Sequence, residues 1–433
     1  RFKSGIPPYL SGRPNVPKNT PKEYDILAAQ TTPDQEGHSD MTSYLDHLEC
    51  TQCGKDYPHA ELIKVSPCCG KVLFARYDLP RLRREVSRDV FAERPENMWR
   101  FAELLPVFKD ENIVTLGEGA TPLLEANALG KNLGMNSLFI KEEGLNPTGT
   151  FKARGLSAAI SKAKELGVTG FTVPSAGNAA GAAAVYGARA GLGVKAYMPQ
   201  DAPDANKKEC LLADTELNLV DGHIGDAGRQ AVAVADEENL FDLSTLKEPY
   251  RAEGKKTMAL EIAMQLGWTM PDVIVYPTGG GTGIIGMHKG FKELLELGWV
   301  EGTPPKFIAV QAAGCQPVVK AFHDGADSAE PWQNAKTVAD GLRVPGPFAD
   351  YLILQALRET GGTALAVEDQ EMVDAMYEIA SAEGVIACPE GSATLVGLKR
   401  LLSTGEITKD QTVVLLNTGS GYKYLDLIKG YGE

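Results

Sequence analysis

From about residue 95 to the end, short apolar runs alternate with helical runs, and this alternation limits the fold more than any other feature. Runs typical of strands cover residues 137–141, 171–173, 194–198, 273–276, 307–310 and 412–416. Runs typical of helices cover residues 156–163, 179–190, 257–266 and 370–383. Such alternation predicts an α/β fold in which helices cover mainly parallel sheets.

The chain before this region has a different character. Residues 1–40 are rich in Pro, Thr and Asp, which is typical of an extended arm with little core. Cys50 and Cys53 form a Cys-x-x-Cys turn, and Cys68 and Cys69 follow after a hairpin-sized segment. This spacing predicts a zinc-ribbon-like element.

The ribbon departs from the usual ligand pattern at its second turn. Ser66 stands where a regular ribbon has cysteine, and adjacent cysteines do not chelate one ion easily. His59 is a substitute ligand in this hypothesis, and a ribbon without metal is the alternative. The remaining cysteines (Cys210, Cys315 and Cys388) lie in apolar or helical surroundings and are expected to be buried thiols.

Composition restricts the classes of function. The chain has 433 residues, enough for two or three domains, and a net charge of −14. That charge argues against binding to nucleic acid or to anionic membranes. No apolar run of about 18 residues or of signal-peptide length is found, so we expect a cytoplasmic protein.

A turn rich in Pro and Gly, at residues 146–155, joins a predicted strand to a predicted helix. Lys152 lies at the start of that helix, where backbone amides carry partial positive charge. This position disfavours the ammonium form and favours a nucleophilic amine. The alternative is an ordinary solvated lysine in the first turn of a helix.

Three further glycine-containing turns follow predicted strands. The turn at 174–181 carries Asn178 at a helix start, where it could hold a carboxylate or act as an ordinary cap. The run at 278–283 exposes backbone amides suited to a phosphate, and a tight packing turn is the alternative. The turn at 417–421 offers hydroxyls at the carboxyl end of a strand.

Together these turns provide a lysine, a carboxylate-type loop, a phosphate cradle and a hydroxyl loop. Pyridoxal phosphate has an aldehyde, a phosphate and a heterocyclic nitrogen that would use these groups. The segments Asn-Pro-Thr-Gly-Thr-Phe-Lys, Ser-Ala-Gly-Asn, Gly-Gly-Gly-Thr-Gly and Asn-Thr-Gly-Ser-Gly resemble, in order and spacing, those of fold type II (tryptophan-synthase-like) pyridoxal-phosphate enzymes. Within that group, the chain looks most like the threonine synthases.

The resemblance implies two open α/β subdomains with the cofactor in the cleft between them, and usually a homodimer. The larger subdomain would comprise residues 81–145 and 245–433, the smaller one residues 146–244, and the ribbon residues 41–80. Such enzymes are lyases of amino-acid biosynthesis that act on a small amino-acid substrate. Threonine synthases convert O-phosphohomoserine and water to threonine and phosphate by γ-elimination and β-replacement.

The resemblance also assigns roles to residues. Lys152 would form the Schiff base and transfer protons, and Thr418 would face the pyridine nitrogen. Asn178 would bind the ring oxygen, and the cofactor phosphate would lie on Gly279, Gly280, Gly281, Thr282 and Gly283. The substrate carboxylate would contact Ser175, Ala176, Gly177 and Asn178, and the substrate phosphate would contact Arg251.

Departures from the threonine-synthase pattern concern the substrate. Ala153 replaces the usual Asp, the 175–180 loop lacks three hydroxyls, and Leu246 replaces a hydrogen-bonding residue. The Ser-Ala-Gly-Asn loop is instead similar to that of threonine and serine ammonia-lyases. A β-eliminating or β-replacing enzyme is therefore the alternative, and a binding module with a structural cofactor is a third hypothesis.

Overall fold

The structure, a computed structural model, describes residues 43–175 and 177–430. The predicted arm at 1–40 and the loop residue Ala176 lie outside the described residues. None of the helices in the described part of the chain combines the length and the apolar character that a membrane-spanning helix requires.

The described chain forms three sheets and the helices that cover them. The strands are β1 (Leu45–Cys50), β2 (Asp56–Pro58), β3 (Leu73–Tyr77), β4 (Leu123–Glu125), β5 (Leu138–Glu142), β6 (Gly170–Pro174), β7 (Gly193–Pro199), β8 (Glu216–Val220), β9 (Phe241–Asp242), β10 (Val273–Pro277), β11 (Lys306–Ala312), β12 (Thr363–Val367) and β13 (Val413–Asn417). The α-helices are α1 (Leu79–Glu85), α2 (Asn127–Leu133), α3 (Lys152–Glu165), α4 (Asn178–Ala190), α5 (Asp204–Leu212), α6 (Ile224–Glu237), α7 (Arg251–Gln265), α8 (Thr282–Glu296), α9 (Pro317–His323), α10 (Asp350–Glu359), α11 (Asp369–Glu383) and α12 (Pro389–Thr404). Short 3-10 turns cover Arg88–Glu93, Met98–Leu104, Asp110–Asn112, Glu143–Leu145, Pro147–Gly149, Asp340–Leu342 and Gly421–Leu427.

The largest sheet has six strands in the order β12-β11-β10-β13-β5-β4. All neighbours are parallel except the β4–β5 pair at one edge. Its central strand β10 is buried at every position, as expected when helices cover both faces of a sheet. The second sheet has four parallel strands in the order β8-β7-β6-β9. The expectation of an α/β fold with mainly parallel sheets is therefore confirmed.

The cysteine-containing segment forms a three-stranded antiparallel sheet in the order β2-β1-β3. Tyr351 of α10 attaches this sheet to the rest of the chain. Its hydroxyl lies 2.6 Å from the Thr51 hydroxyl and accepts the Val72 N–H at 3.3 Å. Both contacts lie next to the cysteine turns, so the ribbon sits directly on a helix of the α/β region.

One helix begins earlier than the sequence predicts. The helical pattern predicted from residue 257 starts at Arg251, because the buried Glu248 carboxylate accepts the N–H groups of Tyr250 and Arg251 and caps the helix. Gly254 lies inside this helix. A Cβ at Gly254 would lie 2.1 Å from the Arg154 carbonyl oxygen, so the glycine permits close packing of α3 and α7.

A fully buried ion network lies beneath the start of α3. The Arg154 guanidinium donates two hydrogen bonds to Glu143 and two to Glu261, at 2.6–2.7 Å. Lys141 also donates to Glu261, at 2.8 Å. Although burial raises it, these two cations hold the pKa of Glu261 below its ordinary value. The network joins the end of β5, the first turn of α3 and the middle of α7.

Replacing Arg154 by methionine should therefore destabilise the fold strongly. Removing one partner of a buried network leaves uncompensated charge, at a cost of about 3–5 kcal/mol in the free energy of unfolding. Urea denaturation followed by circular dichroism measures this change. Arg81→Met, which removes an exposed ion pair with Glu85, is the control and should change stability little. Equal stability of the two variants would contradict the importance of the network.

Candidate active site

A cleft of about 1310 Å³ opens at the carboxyl ends of strands from both parallel sheets. Residues following β6, β10 and β13 line it, together with the first residues of α3, α4, α7 and α8. Open parallel sheets bind ligands at this edge. Every described residue predicted for cofactor or substrate lines the cleft, namely Lys152, Ser175, Gly177, Asn178, Arg251, Gly279, Gly280, Gly281, Thr282, Gly283 and Thr418.

Lys152 is the first residue of α3, and hydrogen bonds to a second loop hold the turn that precedes it. The Phe151 N–H donates to the Thr418 carbonyl at 3.0 Å, and the Ser420 N–H donates to the Gly149 carbonyl at 2.9 Å. Burial and the neighbouring Arg251 charge lower the pKa of the Lys152 ammonium to about 8. A much larger fraction of this amine than of an ordinary lysine is therefore neutral and nucleophilic near neutral pH.

The glycine run after β10 has no room for side chains. A Cβ at Gly279 would lie 2.1 Å from the Gly341 carbonyl oxygen, and one at Gly283 would lie 1.7 Å from the Tyr276 hydroxyl. Gly281 has φ +81°, in the left-handed region, and directly precedes α8. The loop therefore presents backbone N–H groups at the start of a 15-residue helix, an arrangement suited to phosphate.

The loop after β6 leads into α4, which begins at Asn178. The Ser175 hydroxyl accepts the Gly177 N–H at 3.2 Å, which closes a short turn at the cleft wall. Ala176, predicted as a substrate contact in this loop, lies outside the described residues. The start of α4 thus supplies a second set of helix N-terminal amides to the same cleft.

Thr418 lies at the end of β13, beside two residues that sequence reasoning did not assign to the site. The Cys388 sulfur lies 3.9 Å from the Thr418 hydroxyl oxygen, and the Glu390 side chain also lines the cleft. One Glu390 carboxylate oxygen accepts hydrogen bonds from the Tyr424 hydroxyl at 2.6 Å and the Gly341 N–H at 2.8 Å. Its other oxygen is buried with no partner among the described residues.

The sequence carries little signal for these two residues. Cys388, Cys210 and Cys315 were expected to be buried thiols, and all three are buried. Cys388 is 2% exposed, and the other two are 0% exposed. The acidic residue two positions later resembles an ordinary first-turn carboxylate of a helix. The packing of α12 against β10 and β13 brings both residues to the cleft.

Arg251, at the start of α7, is 1% exposed and still lines the cleft. Its Nη1 atom donates to the Leu243 carbonyl at 2.7 Å and to the Thr245 hydroxyl at 3.2 Å. Its Nε atom is buried with no partner among the described residues. A buried guanidinium with a free N–H is a strong binding group for an anion.

The four ribbon cysteines come together at the surface. The sulfur atoms of Cys50, Cys53, Cys68 and Cys69 all lie within 4.8 Å of one another. His59, considered as a substitute ligand, is not part of this group. Its ring instead packs against the Phe108 ring, with the two ring centroids 4.9 Å apart. The idea of a histidine ligand is therefore wrong.

The cleft fits pyridoxal phosphate on its own geometry. Lys152 with its lowered pKa, the glycine loop, Arg251 and Glu390 all line one cleft. Among the described residues, the buried Arg251 Nε and one buried Glu390 oxygen have no hydrogen-bond partner. An aldehyde-bearing phosphate ester with a polar ring would use these groups.

Comparison with known proteins agrees with this fit. Residues 114–419 match the family described as pyridoxal-phosphate dependent enzyme. The chain belongs to this family, and pyridoxal phosphate is its cofactor. The match covers every cofactor-binding residue predicted above.

Within this family, the chain is similar to threonine synthases over most of its length. The threonine synthase of Methanosarcina acetivorans is 36% identical over 374 residues, which is 86% of this chain and 91% of the relative. The threonine synthase of Halalkalibacterium halodurans is 34% identical over 334 residues, covering 76% of this chain and 90% of the relative. The expected resemblance to threonine-synthase-like lyases is confirmed.

Solved structures support the fold alone. Maize serine racemase aligns with a TM-score of 0.60 and 22% identity, covering 71% of this chain and 92% of that protein. A threonine deaminase from Solanum lycopersicum aligns with a TM-score of 0.60 and 23% identity, covering 72% and 88%. The expectation of a fold type II enzyme is confirmed.

A buried carboxylate supports the Thr418 loop and should titrate near neutrality. Glu142 accepts two hydrogen bonds from the Asn417 amide, at 2.8 and 2.9 Å, and one from the Gly144 N–H at 2.8 Å. Burial raises the pKa of Glu142 to about 7, against the opposing effect of these hydrogen bonds.

The protonated form of Glu142 is therefore more favoured in the native state than in the unfolded state. Its contribution to stability is present below the ordinary pKa of 4.5 and is lost as the pH rises toward 7. Glu142→Gln should remove this loss because glutamine does not titrate. Between pH 4.5 and 7.5, the free energy of unfolding of wild type should fall by up to about 3 kcal/mol more than that of the variant. Urea titrations at several pH values measure it, with exposed Glu406→Gln as control. Parallel pH profiles for wild type and Glu142→Gln would contradict the assignment.

Proposed function

We propose that this chain is a threonine synthase, which converts O-phosphohomoserine and water to threonine and phosphate. The identity of 36% with the M. acetivorans threonine synthase, over 86% of this chain, carries the proposal most directly. The buried Arg251 with its free Nε supports it independently, because the reaction needs a group that binds a phosphate ester.

When bound, pyridoxal phosphate supplies an aldehyde for covalent attachment and a ring that delocalises negative charge from substrate carbon. The chain's own residues would bind and orient the reactants. Backbone amides of the 279–283 loop would hold the cofactor phosphate, Asn178 the ring oxygen, and the Thr418 hydroxyl the ring nitrogen. The substrate carboxylate would contact Ser175 and the amides of the 175–178 loop.

Lys152 would move the protons. An amine with a pKa near 8 accepts and returns protons readily at neutral pH, which suits a group that must act at both Cα and Cβ. Removal of these two protons would expel phosphate from Cγ. One proton would then return to Cγ, water would add its hydroxyl at Cβ and give its proton to phosphate, and the second proton would return to Cα. Arg251 would bind the leaving phosphate as a hydrogen-bonded anion.

A second reaction class is supported by the substrate loop. The segment Ser175, Ala176, Gly177, Asn178 lacks the hydroxyls usual in threonine synthases and is similar to that of threonine and serine ammonia-lyases. An enzyme of that kind would eliminate a β-hydroxyl and release ammonia and a 2-oxo acid.

A product assay separates the two reactions. Purified protein with pyridoxal phosphate is given O-phosphohomoserine, threonine or serine, and phosphate, ammonia and amino acids are measured. We expect phosphate and threonine in equal amounts from O-phosphohomoserine. Lys152→Ala should lose this activity by a factor of about 10³ or more, together with the visible absorbance of lysine-bound cofactor. Exposed Lys320→Ala is the control.

Ammonia and a 2-oxo acid without phosphate release would instead assign the chain to the ammonia-lyases. A Lys152→Ala variant that keeps the absorbance would contradict the role of this lysine. No turnover of any substrate, with the cofactor bound, would support the third hypothesis of a binding module.

We also propose that the ribbon binds zinc through Cys50, Cys53, Cys68 and Cys69. Four thiolates within one ion's reach form a Cys₄ set, and such sites in small antiparallel elements are structural. The ribbon sheet is small, and three of these cysteines are exposed, so a metal would supply stability that its core lacks.

Metal analysis tests this ligand set. We expect about one zinc ion per chain, lost in a Cys50→Ser/Cys53→Ser double variant because two ligands are removed. Cys210→Ser, at a buried thiol elsewhere, should keep the metal. Protein purified with zinc present that contains none would support a ribbon without metal. A homodimer and the subdomain boundaries given above stay predictions.

A further inference from the structure

A second buried lysine, Lys255 of α7, lies close to Lys152 and takes no part in the steps above. Its side chain is 0% exposed, and it is not among the residues that line the cleft, whereas Phe151 and Lys152 are. Lys255 therefore does not contact a ligand in the cleft. Any effect that it has on the site passes through its neighbours.

Phe151 is the neighbour that links Lys255 to the site. The Lys255 Nζ donates a hydrogen bond to the Phe151 carbonyl. The same nitrogen lies 4.2 Å from the centroid of the Phe151 ring, and the Lys152 Nζ lies 3.9 Å from that centroid. One aromatic ring thus contacts both amines, and Lys255 also holds the backbone of the residue that carries the ring.

Phe151 connects Lys152 with two other parts of the site. Its N–H donates to the Thr418 carbonyl at 3.0 Å, and its ring lies edge-on to the Tyr276 ring with centroids 6.3 Å apart. Tyr276 in turn reaches the glycine loop, because a Cβ at Gly283 would lie 1.7 Å from its hydroxyl. A shift of Phe151 would therefore move Lys152 relative to both the Thr418 loop and the glycine loop.

Glycines on two neighbouring helices leave room for the Lys255 side chain. A Cβ at Gly155 of α3 would lie 3.0 Å from the Lys255 Cε and 2.9 Å from the Arg251 carbonyl oxygen. A Cβ at Gly286 of α8 would lie 2.9 Å from the Lys255 Cβ. Such close packing leaves a long side chain few positions, so the hydrogen bond to Phe151 is well defined.

Lys255 acts as a hydrogen-bond donor rather than as a charge. No carboxylate within residues 43–175 and 177–430 forms an ion pair with it. Burial holds the pKa of this amine well below its ordinary value, and the charges of Lys152, Arg251 and Arg154 lower it further. The Glu143 carboxylate opposes them only in part. Loss of the proton is thus strongly favoured, and the neutral amine still has N–H groups to donate.

We infer that Lys255 is a positioning residue, which holds Phe151 by a hydrogen bond and thereby keeps the Lys152 amine in place for attachment to the cofactor. The contribution of Lys255 is the hydrogen bond and the packing that it fixes. The inference rests on the role proposed for Lys152 and does not depend on the identity of the substrate.

The rate at which the cofactor attaches to the chain tests this inference. Pyridoxal phosphate is removed from the holoenzyme with hydroxylamine and added back, and the return of the visible absorbance is followed from about pH 6 to about pH 10. In wild type, the rate should rise with a midpoint near 8, the pKa of Lys152. Lys255→Met should lower the plateau rate and kcat each about tenfold, because the nucleophile is misplaced. The midpoint and KM should not change.

Lys255→Gln separates the hydrogen bond from the charge. Glutamine is neutral and donates an N–H, so the plateau rate of this variant should lie closer to wild type than to Lys255→Met. The matched control is Lys162→Met, which removes a buried lysine of α3 that pairs with Glu165. Its attachment rate should equal that of wild type. Urea denaturation of each variant checks that it is folded.

Each outcome supports or overturns the inference. An unchanged rate in Lys255→Met overturns it, and so does an equal loss in the Met and Gln variants. A midpoint that rises in both variants would assign the effect to charge and would also overturn it. If Lys255→Met does not fold, Lys255→Gln decides: a rate near wild type at an unchanged midpoint supports the inference, and a lost rate or a moved midpoint overturns it.

Failure of the proposed function has different signs. Attachment that persists in Lys152→Ala would contradict the role of Lys152, on which the inference rests. Normal attachment in wild type without turnover of O-phosphohomoserine would refute the proposed reaction alone. The attachment rates of the Lys255 variants would still decide the inference in that case.

Discussion

The buried ion network around Arg154 is the contact on which the site depends. It joins Glu143 after β5, Arg154 two residues after Lys152, and Glu261 in the middle of α7. Because the ions are fully buried, any arrangement that separates them leaves unpaired buried charges and lowers the stability of the fold. The turn that carries Lys152 is thereby held against both the large sheet and α7. The same contacts hold Lys152 in its position beside the first residues of α7.

Close backbone packing brings several helix N-termini to one cleft. Gly254 and Gly286 have no room for a Cβ, which would lie 2.1 Å from the Arg154 carbonyl and 2.7 Å from the Ala252 carbonyl. The helices α3 and α8 therefore both lie against α7, and the first residues of all three helices reach the same cleft. Helix N-termini attract anions, so these backbone amides suit an anionic ligand in a chain whose net charge is −14.

The sequence by itself determined the layered α/β fold, the cofactor and most of the residues that the structure brings to the cleft. Apolar strand runs and helical runs differ in period, so their alternation is visible without tertiary information. The glycine run at 279–283 and the turn around Lys152 are local structures whose residues adjoin in the chain. Their place after predicted strands was sufficient to bring them to one edge of the sheets.

Contacts between distant segments decided the rest. Cys388 and Glu390 reach the cleft because α12 packs beside β13, His59 turns toward Phe108, and α7 starts at Arg251 because Glu248 caps it. The lowered pKa of Lys152 depends on burial and on Arg251, neither of which is local to the turn. A side chain's burial, free hydrogen-bonding atoms and charged neighbours arise only when separate elements pack, so no pattern along the chain contains them.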